Sequence, residues 1–258
     1  MSMRELGCGF KVMDNKMILQ YDAERFRKFY PQIDFASFEI VADDADRTIY
    51  FRDKDQLYVD SYMCPFAILP DAKPQDFKIV DIEKGLVSSG GQNYYFAEKL
   101  PYDFDDLKPL AGLYYQVKDQ VYFSFDKPML EADLDSFQVF TQLKHANLAK
   151  DQHHLYFRDQ IVEGVDVASF ELLTACFDSD YYLEQDHTYY AKDRNFAYYI
   201  DTIAKQVKVI KSKSLDVFHF KVIDERGYAF DREYRYAYGR RTSLKKLQQM
   251  AIQNNSGE

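Results

Sequence analysis

Two acidic groups are the densest gathering of side chains that could do chemistry: Asp43, Asp44 and Asp46 in "ADDAD", and Asp103, Asp105 and Asp106 in "DFDDL". Clustered carboxylates can bind a cation, move protons or attract a basic partner. A calcium loop needs oxygen ligands at a spacing such as D-x-[DN]-x-[DN]-G, and neither stretch has it. The plain reading of both is a solvated loop. The sharper one is an acidic surface that meets a basic protein, where complementary charge speeds association and selects the partner.

The other reactive residue types are scattered. Histidines 145, 153, 154, 187 and 219 form no H-E-x-x-H or other zinc-binding set. His153–His154 read as turn residues and His219, between Phe218 and Phe220, as a rim residue. Cys8, Cys64 and Cys176 are an odd number, far apart, which suits free thiols in a reducing compartment better than a disulfide framework. "SSGGQN" (88–93) reads as a turn, and no P-loop, dinucleotide fingerprint or nucleophile elbow occurs. No catalytic residue, metal ligand or cofactor is therefore predicted. The formal net charge of −9, from 42 acidic and 33 basic residues, argues against phosphate-backbone binding, so no nucleic acid is expected. No apolar run is long enough to span a membrane, and "MSMRELGCGFKVMDNK" lacks an apolar leader core, so membrane insertion is not expected and the location is expected to be cytoplasmic.

What must position these residues is legible as a repeat. The chain has 22 Tyr, 21 Phe and no Trp, a composition that favours pleated, half-buried surfaces. In "YYAKDRNFAYYIDT" (189–202) Asp193 precedes Tyr198 by five residues, and Asp53–Tyr58, Asp151–Tyr156 and Asp231–Tyr236 repeat that spacing. "VKDQVYF" is a degenerate copy, with Val117 at the Asp position, Asp119 in the turn and Tyr122 at the end. Each copy reads as strand, polar turn, strand. A second element alternates with these knots: Asp34–Phe38, Asp133–Phe137, Asp166–Phe170 and Asp216–Phe220, with Asp103–Leu107 and Lys73–Phe77 as variants. It reads as one helical turn with Asp as its cap, Pro74 fitting the first helical position. The anchors Phe38, Phe77, Leu107, Phe137, Phe170 and Phe220 then mark about six units of roughly three short strands.

The predicted fold is all-β: residues 1–258 as a single repeat domain of short antiparallel hairpins with one helical turn per unit. An elongated or superhelical array is favoured over a propeller-like ring, whose blades take about 40–50 residues. The ends differ from the middle. "DAERFRKFY" suggests a short helix with Phe26, Phe29 and Tyr30 on one face, and residues 243–253 a C-terminal helix that covers the last sheet edge.

"YAKDRNFAYY" and "YAFDREYRYAYG" resemble the DKNYY repeat of bacterial proteins, with Asp193, Arg194 and Asn195 standing for Asp-Lys-Asn and Tyr198–Tyr199 for the tyrosine pair. The match covers most of residues 40–240, with Lys often replaced. The resemblance implies a scaffold without associated catalytic residues. It also implies a role: some cytosolic relatives look like immunity proteins that neutralise a toxin of polymorphic or type VI secretion systems. The expectation is a non-enzymatic, protein-binding immunity protein whose partner is a cognate toxin, met through the acidic groups. Two alternatives stand beside it: an envelope-associated interaction protein with a missing leader, and a carbohydrate-binding module that uses tyrosine platforms.

Overall fold

Each knot and capped turn takes a fixed place in one recurring sheet. In a computed structural model, residues 2–21, 23–45, 47–141, 147–173, 188–202, 204–223 and 226–248 are described. They form one three-stranded and six four-stranded antiparallel sheets, each a meander in chain order. None closes into a barrel. The six repeats span residues 39–68, 78–100, 107–128, 138–161, 171–210 and 219–243. Each therefore has four strands, one more than the spacing predicted, because the run after each knot turns back once more before the next cap.

The chain divides into two compact units, Met1–Leu107 and Lys108–Glu258. In the first, the N-terminal sheet and a 3-10 helix, Ala23–Gln32, lie against one face of the first repeat. Phe26 is fully buried there, with its ring centroid 5.7 Å from Phe10 and 4.6 Å from Phe66. The predicted short helix is thus present, wound as 3-10. The other face of the first repeat packs on the second, joining Tyr50, Leu57 and Val59 to Val87 and Tyr94.

The second unit continues the pattern. Tyr114 and Phe123 of the third repeat meet Ala149 and Tyr156 of the fourth. Leu148 and Phe157 of the fourth meet Ala191 and Tyr198 of the fifth. Tyr190 and Tyr199 of the fifth meet Ala229 and Tyr236 of the sixth. A sheet between two others has no solvent face, which explains why Thr48–Arg52, Leu57–Ser61 and Ala197–Asp201 are each buried at four consecutive positions. Successive strand residues point to opposite faces, so the tyrosine doublets divide their labour. Tyr198 faces the preceding sheet and Tyr199 the following one.

Single 3-10 turns, Pro74–Asp76, Phe104–Asp106, Leu134–Ser136, Val167–Ser169 and Leu215–Val217, link one sheet to the next; of the predicted Asp caps, Asp166 accepts from the Ser169 N–H at 3.1 Å, whereas Asp103 and Asp133 make no side-chain cap bond. The residue after each turn is the predicted anchor, half-buried at Phe77, Leu107 and Phe137 and buried at Phe170, with one correction. In the last repeat the turn starts from Ser214 and ends on Phe218, which is buried, so the anchor is Phe218 and not Phe220. Asp216 there sits inside the turn. The sequence alignment slipped by two residues because a serine had replaced the capping aspartate. At the C-terminus, residues 244–248 are helical, and 249–253 of the predicted helix lie outside the described residues.

Candidate functional site

The knot aspartates are buried polar nodes. Asp193 accepts from the backbone N–H groups of Asn195 and Phe196 through Oδ1, both at 2.7 Å, which closes the hairpin turn. Its Oδ2 accepts from the Tyr198 hydroxyl at 2.6 Å and from the N–H of Asp166, the turn cap, at 2.8 Å. Asp53 and Asp151 make the same four contacts, with Tyr58 and Asp34 and with Tyr156 and Asp133. Asp231 accepts from Tyr236, Glu233 and Tyr234, and reaches its cap through the Ser212 hydroxyl, which bonds both Asp231 and the Ser214 N–H. In the second repeat Ser89 replaces the carboxylate and bonds both the N–H and the carbonyl of Lys73. One side chain thus locks a hairpin, a tyrosine and the inter-sheet turn together.

The residue after the aspartate explains the basic position of the signature. Arg194 pairs with the cap Asp166 at 2.5 Å, Lys54 with Asp34 at 3.6 Å, and Gln152 donates to Asp133 at 2.7 Å. Backbone N–H groups at the same positions donate to Ser169, Ser37 and Ser136, each at 3.0 Å. These serines complete a D-x-x-S-F pattern that the Asp–Phe spacing alone overlooked. Serine three residues after the cap was the available signal.

The electrostatics of the nodes follows from this ring of donors. Burial pushes the Asp193 carboxyl up, but the Tyr198 hydroxyl and three backbone N–H groups outweigh it, so its pKa lies below the usual carboxylate value. Asp151 and Asp231 behave alike, burial again opposed by a ring of donors. Burial first, then the partner carboxylate, raises the phenols of Tyr58, Tyr156, Tyr198 and Tyr236. These tyrosines stay protonated donors at neutral pH. Among the described residues no three His, Cys, Asp or Glu side chains are placed to hold a metal ion, and no helix is long and apolar enough to cross a membrane. Cys8 and Cys64 are in no disulfide among the described residues, and Cys176 lies outside them.

The acidic groups fare differently from one another. Asp43 ends the strand Glu39–Asp43, and Asp44 opens a tight turn in which the Arg47 N–H donates to its carbonyl at 2.8 Å. Asp46 lies outside the described residues. Asp103 precedes the turn Phe104–Asp106, and its carboxylate accepts from Asn93 at 3.3 Å; Asp105 is exposed and Asp106 half-buried. Asp44 lines a groove of about 770 Å³ that it shares with Arg47, Glu83, Phe96, Tyr62 and Met63. Asp103, Asp105 and Asp106 do not line it.

Tyr62 and Met63, which the sequence did not single out, are the conspicuous members, 95% and 66% exposed. The turn closes on itself through Ser61 and Cys64, which exchange backbone bonds at 2.8 and 3.2 Å. Its two middle side chains therefore point to solvent. A second, smaller groove shares Arg47, Ser61 and Tyr62 and is floored by Arg25, whose guanidinium bonds Asp60 at 3.1 and 2.6 Å. Exposed Tyr and Met beside Arg, on a rigid turn, have the composition of a protein contact surface.

The DKNYY family model matches residues 114–255. No curated protein and no solved structure matches the chain. The matched span takes in the nodes at Asp151, Asp193 and Asp231, where Tyr156, Tyr198 and Tyr236 bond the aspartate and, at the second, Arg194 pairs with Asp166. The chain belongs to the DKNYY family.

Proposed function

We propose that this is a non-catalytic protein-binding repeat protein, most concretely a cytosolic immunity protein that sequesters a cognate toxin of a polymorphic or type VI secretion system. The observation that carries the binding reading is the solvent-facing Tyr62–Met63 turn beside the Asp44–Arg47 groove. The closed turn fixes the backbone before binding, so only the rotamers of these two side chains remain to be ordered. Among the described residues neither belongs to a core cluster. Asp44 and its neighbour Asp43 add negative charge to the rim, in keeping with a net charge of −9 and a basic partner. The tyrosines expected to be either platforms or packing are buried in the knots, which favours protein contact over stacking on sugars.

The test is co-expression with the product of a neighbouring large reading frame, followed by titration of the purified pair. Tyr62→Ala is expected to weaken binding by about 2 kcal/mol while leaving the melting temperature unchanged. Asp43→Lys with Asp44→Lys is expected to weaken it further and to flatten its salt dependence. Full affinity in both variants would remove this surface from the function. Absence of any complex, and of protection from the toxin in cells, would remove the immunity role.

A further inference from the structure

We propose that the strand Gln206–Ile210 is a docking edge that takes an extended acidic segment of a protein partner as a fifth strand of its sheet. It is the last strand of the fifth repeat, and no strand pairs with its outer side among the described residues. The corresponding last strands are shorter: two residues in Ala67–Ile68, Lys127–Pro128 and Gln160–Ile161, three in Glu98–Leu100 and four in Arg240–Ser243. Very short edge strands are one way in which a sheet avoids pairing with other chains. Gln206–Ile210, with five residues all in register with Ala197–Asp201, lacks that protection.

A groove of about 570 Å³ runs beside it, with Val207 and Val209 on one wall and Arg158, Gln160 and Val162 on the other. Val209 is 50% exposed, which leaves an apolar contact for the alternate side chains of an incoming strand. Backbone bonds from such an edge supply affinity, and the side-chain pockets supply selection.

Charge names the occupant. Between Asp201 and Asp216 the chain has no acidic residue, but it has Lys205, Lys208, Lys211 and Lys213, all exposed. This is a basic run in a chain of net charge −9. Lys208 reaches Asp201 only at 4.0 Å. Across the groove Asp159 is already paired with Lys127 at 3.6 Å, and Glu163 is the other acid of the wall. An extended segment with Glu or Asp on one side and β-branched residues on the other complements both features. The proposal shares with the protein-binding reading only the need for a protein partner, on a surface separate from the Tyr62 turn, so each can fail without the other.

The probe is a blocked eight-residue peptide alternating Glu and Val, with its Lys–Val counterpart as control, added to the full chain. The acidic peptide is expected to bind saturably at low salt and to slow amide exchange at 206–210. The double variant Lys208→Glu, Lys211→Glu is expected to lose about tenfold or more in affinity. No saturable binding, equal binding of the Lys–Val peptide, equal affinity in the double variant, or protection that appears elsewhere would each overturn it. So would self-association of the double variant with unaltered peptide binding, because the lysines would then only guard the edge.

Discussion

Asp193 shows how much one carboxylate can do when four donors converge on it. A buried charge is tolerated only when its hydrogen bonds are complete, and here the donors come from a hairpin, a tyrosine and the preceding turn. Removing one donor and removing the acceptor therefore differ. Tyr198→Phe deletes one bond and is expected to cost about 1–3 kcal/mol. Asp193→Ala strands a phenol and three N–H groups and is expected to cost about 3–5 kcal/mol; urea denaturation separates the two. The same nodes predict an acid limit. Asp151, Asp193 and Asp231 have folded pKa values below the ordinary one, so each contributes stability that is complete above the unfolded pKa and is lost as pH falls through the folded one. Urea midpoints are expected to hold through neutral pH and to drop steeply below about pH 4. Asp193→Asn should make that drop shallower.

At the scale of the element, the sheets are tied by tyrosines three residues before the knot. The Tyr50 hydroxyl donates to the Gly85 carbonyl of the next sheet at 3.2 Å, and Tyr114 donates to Arg158 at 3.0 Å. In the fifth repeat the direction reverses, and the Gly239 N–H donates to the Tyr190 hydroxyl at 3.3 Å. Gly239 can approach because it has no side chain. Its φ is +71°, and a Cβ there would come 2.8 Å from Cδ1 of Tyr199. Gly239→Ala is therefore expected to destabilise the interface between the fifth and sixth sheets by about 2–4 kcal/mol, read as a lower thermal midpoint and faster amide exchange in 226–243. The knot spacing and the paired tyrosines were legible in the sequence because the chemistry of a closed turn demands fixed offsets. The cap of the last repeat was not. Its aspartate had been replaced by a relay through Ser212, whose partner Asp231 is 19 residues away.

Across the molecule, stability is built from like interfaces repeated. In the second unit each sheet touches its neighbours through one shared cluster per interface. Such an assembly behaves as a chain of nearest-neighbour couplings. Tyr190→Ala, which empties the cluster between the fifth and sixth repeats, is expected to accelerate amide exchange most in 189–236. The effect should fade towards Tyr114–Val117 in the third repeat. Uniform acceleration across the unit would instead mean one all-or-none core. The exposed side chains of Tyr62, Met63, Lys208 and Lys211 lie outside the shared clusters, so substitutions at these four positions are expected to change binding and leave the melting temperature within about 1 °C of the parent.

The sequence by itself determined the fold class, the six-fold recurrence, the knots and the place of the turns between sheets, because each depends on offsets of a few residues; the side-chain cap it predicted for those turns is present at Asp166 and absent at Asp103 and Asp133. It could not determine which neighbour each ring of a tyrosine pair would meet, nor that the knot aspartate would also hold a turn 18 to 27 residues before it. It also could not separate Asp44, which lines a groove, from Asp103, which is tied to Asn93. Those outcomes depend on how sheets stack and which loops are left at the rim, and burial and long-range contact exist only once the chain has folded.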